Sequence, residues 1–380
     1  MDKGSMVTRD SAYFCTSTYQ LFSILSLVLD RKEAADLYID PQFKGAEEYA
    51  SRIEAKHIFE EVRIIDSKKI HDMYISCESG IKNHLQIARS YLHVNRIADM
   101  IVPGNIRYKN VFVSSRAYIP RLYIMSCYKR KYDINVFYFD DGVGSYYGNR
   151  ALTPRKMDGV VRKVLFGKKA LDFDHDRYLM CPDLYRKING DTPYAVHPVR
   201  YFWSEDRQRD LLDEIFPSGE GSVLSERAVI LEELADEYFD EANLQILKET
   251  YDFTRSLFGA DDLLIKSHPR SKGERKQGFH YYEHFELPFE ILSMKNRMAD
   301  KVLISCGSTA VSTPKMITGQ EPYVILLYRM IDHSDMNNET LDRFFVSLKD
   351  IYENKGKVMM PGTLEEFKTC LSRVKSEMNV

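Results

Sequence analysis

No apolar stretch in this chain approaches the roughly 18 to 20 residues needed to span a bilayer, so nothing in it reads as a membrane-crossing helix. The opening Met1-Asp2-Lys3-Gly4-Ser5 runs into polar residues rather than an apolar core, which argues against a signal peptide. Residues 1–5 read as an added leader ahead of Met6 and are left out of the fold reasoning. An excess of one charge is also missing. Against 53 Lys and Arg stand 56 Asp and Glu, and the formal net charge of −3 gives no support for a nucleic-acid binder. The six cysteines (Cys15, Cys77, Cys127, Cys181, Cys306 and Cys370) are scattered without close pairs. That spacing fits neither a zinc site nor a disulfide framework and points to a reducing cytoplasm. No Gly-x-Gly-x-x-Gly opens the chain and no Gly-x-x-x-x-Gly-Lys-Ser/Thr loop occurs, which disfavours dehydrogenases and P-loop enzymes. Repeats and low-complexity segments are absent.

What is present is a chain of 380 residues, 44 % hydrophobic and 29 % charged, the composition of a globular protein too long for one ordinary core. Short apolar runs alternate with helical spacing. Strands are expected at Ala12 to Thr16, Leu37 to Asp40, Val62 to Asp66, Asn110 to Ser115 and Ile134 to Phe139. Ser17-Thr18 offers a helix cap before Gln20 to Leu25, and helices are expected over Ser79 to Asp99 and Pro120 to Lys131. After Arg177 the rhythm resumes. Strands are read at Ala228 to Glu233, Leu263 to Lys266, Lys301 to Ile304 and Pro322 to Tyr328, with a helix from Asp240 to Phe258. A closing helix from Thr363 to Met378 starts with Thr363 as cap and Glu366 completing a capping box.

Strand-helix alternation of this kind implies parallel βαβ units. Two Rossmann-like domains are expected, residues 1–175 and 176–380, facing a cleft and finished by a C-terminal helix. That is the arrangement of a GT-B glycosyltransferase. Near the end of the first, Arg155-Lys156, Arg162-Lys163 and Lys168-Lys169 flank Val160, Val161, Val164, Leu165 and Phe166. Residues 155–169 suit an anionic membrane surface or an acceptor groove, although a solvated helix face is the commoner meaning of such a stretch.

Three strand ends carry groups that can do chemistry. Asp140-Asp141-Gly142 follows Ile134 to Phe139, with Gly144 and Gly148 close behind. Open α/β sheets keep their ligands at the carboxyl ends of strands, although Asp and Gly are also ordinary turn residues. His268-Pro269 closes a second strand, where proline stops the run and leaves the imidazole at the edge. Ser305 to Thr309, through Gly307 and its hydroxyls, can present donors to a phosphate at a helix start. Alone, a histidine at a turn is usually incidental and a Ser/Thr pair is usually a cap. Together they form a set able to displace a nucleotide phosphate from a sugar. A carboxylate deprotonates the acceptor hydroxyl while a histidine and hydroxyls stabilise the departing phosphate.

These three short motifs resemble, in order and spacing, those of bacterial sialyltransferases: an acidic-acidic-glycine triplet, a His-Pro pair and a Ser-Ser/Thr pair. Leu287-Pro288-Phe289-Glu290-Ile291-Leu292 looks like the segment that carries a ribose-binding glutamate, and Cys15 to Leu21 is similar to the opening of the lipooligosaccharide sialyltransferase family. Polysialyltransferases share all three motifs. The resemblance implies a GT-B fold, CMP-sialic acid as donor, a glycan hydroxyl as acceptor, inversion at the anomeric carbon, and no metal or other cofactor. Carried over, it makes Asp140 the general base with Asp141 as the alternative, and His268 the partner of the leaving phosphate. Ser308 and Thr309 bind that phosphate and Glu290 holds the ribose, with Gly142, Lys266, Pro269 and Gly307 beside them. A CDP-glycerol-dependent teichoic-acid-type transferase and a non-catalytic carbohydrate-binding protein are the competing readings.

Overall fold

The computed structural model describes residues 7–75, 89–114, 118–146, 175–200, 206–217, 223–233, 239–269, 271, 275–284, 287–331 and 338–378. The basic stretch 155–169 lies outside the described residues, as does part of the helix expected from Ser79; its described portion contains the helix Val94–Ile101. The chain divides into two compact units. The first comprises Met1–Pro182 with Asp191–Arg200, the second Asp183–Gly190 with Tyr201–Val380.

The first unit is built on a seven-stranded sheet. Its strands are β1 (Val7–Cys15), β2 (Ala35–Ile39), β3 (Glu61–Ile64), β4 (Ile106–Val113), β5 (Asn135–Phe139), β6 (Arg177–Leu179) and β7 (Val196–Pro198), in the order β3-β2-β1-β4-β5-β6-β7. All neighbours in it pair parallel. Parallel strands covered on both faces need continuous apolar runs, and Ala12, Tyr13, Phe14 and Cys15 of β1 are fully buried. The helices Thr18–Arg31 and Tyr118–Lys129 belong to the same unit, the former capped by Ser17, whose side chain accepts from the Gln20 N–H. The expected boundary at 175/176 is too early. Residues 177–179 and 196–198 are too short and too mixed to read as strands, yet they extend the first sheet beyond β5.

The second unit carries β8 (Ala228–Leu231), β9 (Leu263–Lys266), β10 (His280–Tyr281), β11 (Val302–Ser305), β12 (Tyr323–Leu326) and β13 (Val358–Met359). Their order is β10-β9-β8-β11-β12-β13, again with every neighbour parallel. Each sheet reverses direction of growth at its first strand, which puts the switch points between β1 and β4 and between β8 and β11. Doubly wound sheets bind ligands outside the carboxyl ends of strands at such points.

The helix expected from Asp240 to Phe258 is Glu241–Phe258, with Asp240 as its cap. The closing helix is Leu364–Glu377, and Thr363 Oγ1 accepts from the Glu366 N–H at 3.2 Å. The capping box is half made: the Glu366 carboxylate reaches back to the Gly362 N–H at 2.7 Å instead of that of Thr363. Cys15, Cys127, Cys181, Cys306 and Cys370 are free thiols, and the first, second and fourth are buried. No described helix is long and apolar enough to cross a membrane.

Candidate active site

In the first unit, β5 delivers the acidic triplet to the carboxyl edge of the sheet, and its two carboxylates meet opposite fates. Asp140 is fully buried. Its Oδ1 accepts from the Tyr19 hydroxyl at 2.9 Å and the Gly142 N–H at 3.0 Å, and its Oδ2 from the Tyr146 hydroxyl at 2.7 Å and the Met180 N–H at 3.0 Å. Four donors close around one carboxylate. Burial pushes the Asp140 carboxyl above its ordinary range while those donors pull against it. The Tyr146 phenol, also fully buried, is driven well up by burial and by the neighbouring Asp140 charge. Tyr146 in turn accepts from the Cys181 N–H at 3.1 Å, so Asp140 ties the ends of β5 and β6 to the helix that follows β1.

Asp141 is only half-buried and faces hydroxyls. Ser145 Oγ donates to its Oδ1 at 2.8 Å and accepts from its N–H at 2.8 Å, while Ser114 Oγ, just past β4, donates to Oδ2. Gly142 turns the chain between them at φ 100, a left-handed geometry that costs a side-chain-bearing residue strain. A carboxylate acting on an outside hydroxyl needs accessible lone pairs. By that criterion the two differ: Asp140 holds the edge together with all its oxygens buried, and Asp141 is the more accessible acid. Tyr19, Tyr146, Ser114 and Ser145 went unassigned in the sequence. Only the two serines had a signal, as polar residues directly after a strand and a glycine turn.

In the second unit the strand ends line up. Leu231, Lys266, Ser305 and Leu326 are register partners across β8, β9, β11 and β12. The residues that follow them therefore share one edge: Glu232-Glu233, Ser267-His268-Pro269, and Cys306 to Thr309. His268 and Pro269 are half-buried, and the His268 carbonyl accepts from the Ser271 N–H at 2.8 Å. Lys266 is buried, with Nζ donating to the Ser267 carbonyl at 3.3 Å and lying 5.9 Å from the centre of the Tyr282 ring.

Ser308 caps a four-residue 3₁₀ turn, Thr309–Ser312, rather than a long helix, with its Oγ accepting from Ala310 N–H at 3.3 Å. Glu290 sits in the helix Phe289–Lys295, 6 % exposed, and accepts from Thr313 Oγ1 at 3.3 Å. Thr313 directly follows the turn, so the ribose candidate and the Ser308-Thr309 segment belong to one neighbourhood. Glu233 is the residue that sequence reasoning passed over. Its Oε1 accepts from the Gly307 N–H at 2.7 Å and the Ser305 hydroxyl at 3.4 Å, and burial raises its carboxyl to about 7. Two adjacent acids ending a buried strand, as at Asp140-Asp141, were the available signal.

Among the described residues, no group of three or more His, Cys, Asp or Glu gathers where it could hold a metal ion. No family model matches the chain, and no curated protein matches it either. Solved structures do. The crystal structure of TcCGT1 in complex with UDP superposes with a TM-score of 0.54, covering 98 % of this chain and 92 % of that one at 10 % identity. The fold is GT-B. Phytolacca americana apo UGT2 matches with a TM-score of 0.44 over 97 % of this chain and 93 % of its own, at 9 % identity. The candidate residues that follow β5, β9 and β11 lie at the carboxyl edges of the two parallel sheets, where open α/β sheets bind their ligands.

Proposed function

We propose that this GT-B protein is an inverting sialyltransferase that moves sialic acid from CMP-sialic acid to a hydroxyl of a galactoside or sialoside in a surface glycan. The observation that carries the reading is the coincidence of motif and topology. The acidic triplet directly follows β5, His268-Pro269 follows β9, and Ser308-Thr309 follows β11, each at the carboxyl edge of its sheet. A fold shared with TcCGT1, whose structure holds UDP, suits a nucleotide-sugar donor.

In this reading the acceptor hydroxyl gives its proton to Asp141 as its oxygen attacks the anomeric carbon from the face opposite the phosphate. The bond from that carbon to the phosphate oxygen breaks, and the electron pair leaves with CMP. His268 and the hydroxyls of Ser308 and Thr309 stabilise the charge that grows on the phosphate, and Glu290 binds the ribose. Asp140 is assigned the supporting role, fixing the Gly142 turn from which Asp141 projects. No metal is invoked. The Asp140 oxygens are occupied by N–H and O–H donors and those of Asp141 by serine hydroxyls, so a cation would have to displace them.

The deciding experiment incubates purified protein with CMP-sialic acid and a panel of lactosides and sialosides, and reads the products by mass. CDP-glycerol and UDP-sugars run in parallel. Transfer of sialic acid supports the reading. Transfer from another donor, with none from CMP-sialic acid, overturns it.

A further inference from the structure

Two consecutive acids close β8, and their surroundings differ. Glu232 is neutralised locally: Ser267 Oγ donates to it at 2.9 Å and Lys276 Nζ at 2.8 Å. Glu233 lies instead on the segment assigned to the donor phosphate. It takes the Gly307 N–H at 2.7 Å and the Ser305 hydroxyl at 3.4 Å, and that hydroxyl in turn accepts from the Ser308 N–H at 3.1 Å. Those donors sit at the switch point between β8 and β11. A carboxylate and a phosphate oxygen are alternative acceptors for one set of N–H groups, and two anions side by side repel each other.

We propose that Glu233 competes with the donor phosphate for the Gly307 N–H and the Ser305 hydroxyl, so that nucleotide binding draws a proton onto Glu233. The inference rests on assigning the donor phosphate to the Ser305 to Thr309 segment. Once protonated, Glu233 releases its claim on the Gly307 amide, and its own O–H becomes a donor to the phosphate. As a carboxylate it fills the same position with negative charge.

Burial already pushes the carboxyl up to about 7 against the pull of its donors. Among the described residues, the groups near it do little to supply that proton. Glu232 on its own strand is paired with Lys276. Cys306, after β11, and Tyr251, on the helix Glu241–Phe258, are both driven well up by burial and stay neutral. Leu341, on the helix Asn338–Ile351, is apolar, and its Cδ1 stands 3.3 Å from where a Cβ on Gly307 would be. His268, after β9, ordinarily titrates in the same range, and the test must separate it.

The probe is cytidine 5′-methyl phosphate, a diester whose single charge does not change between pH 6 and 8. It is titrated calorimetrically into the full chain across that range. A group with a pKa near 7 that must be protonated for binding makes affinity about tenfold higher at pH 6 than at pH 8. At pH 7.5 about half to one proton is taken up, read from the difference between Tris and HEPES buffers. Glu233→Gln, neutral at every pH, should bind at pH 8 as tightly as the wild type does at pH 6, with no slope. A pH-independent wild type, or a slope that survives in Glu233→Gln, overturns the inference and leaves the donor site standing. Failure of the diester to bind at any pH overturns both. If Glu233→Gln does not fold, His268→Asn decides. With Glu233 intact it should keep the slope and the proton uptake, and losing them assigns the proton to His268 and overturns the inference.

Discussion

Replacing Asp140 and Asp141 one at a time separates a carboxylate that holds the fold from one that does chemistry. Asp140→Ala strips the acceptor from four donors inside the first unit. The Tyr19 and Tyr146 hydroxyls can rotate, but the N–H groups of Gly142 and Met180 cannot. Leaving a buried donor unsatisfied costs about 1 to 3 kcal/mol, so two fixed amides give about 2 to 6 kcal/mol. Whole domains are stable by only about 5 to 15 kcal/mol. At roughly 2 to 4 °C per kcal/mol for a unit of this size, the unfolding temperature should drop by roughly 5 to 20 °C. Asp141→Asn changes a half-buried group whose side-chain partners are rotatable hydroxyls, and should cost under about 1 kcal/mol. Its turnover should nevertheless fall roughly a hundredfold or more, the range for loss of a general base. Circular dichroism melting measures the first effect and CMP release the second. An Asp140→Ala protein that melts with the wild type, or an Asp141→Asn protein that keeps full turnover, refutes the division of roles.

Three further outcomes are expected. His268→Ala should lower turnover strongly and CMP affinity less, because its interaction grows as charge develops on the leaving phosphate, whereas Glu290→Ala should weaken CMP affinity first; calorimetry beside kinetics shows the split, and an unchanged turnover number in His268→Ala removes its leaving-group role. Activity should survive EDTA undiminished, and a loss restored by Mn²⁺ would count against both the donor-site chemistry and the family resemblance. Glu233 makes stability depend on pH: its folded pKa, about 7, lies above its unfolded value, so its contribution is fully present below about 4.5 and is lost as pH rises through 7. Glu233→Gln should therefore match the wild type in urea denaturation near pH 4 and exceed it at pH 8 by up to about 3 kcal/mol; equal midpoints at pH 8 would contradict the raised pKa.

The sequence by itself determined the class of the fold and the edge on which its chemistry lies. Buried parallel strands must be apolar on both faces, so β1, β5, β8, β9, β11 and β12 stand out as short hydrophobic runs, and the polar residues that end each run mark the carboxyl edge. The acidic triplet, His268 and Ser308-Thr309 were legible for that reason. Strands β6, β7, β10 and β13, of two or three residues each, carry too little pattern to read, and their pairing comes from neighbours distant in the chain. For the same reason the first unit extends past the expected boundary at 175. Tertiary structure alone gives Asp140 and Asp141, neighbours in sequence and chemically identical, different surroundings. Successive residues leaving a strand turn to different surroundings, so one carboxylate meets Tyr19, Tyr146 and two amides in the interior while the other meets two serines at the edge. The bond from the Gly307 amide to Glu233 exists only because β8 and β11, about 70 residues apart in the chain, lie side by side. Local pattern records which residues are apolar and where the chain turns; which amide a buried carboxylate accepts from is set by packing across the sheet.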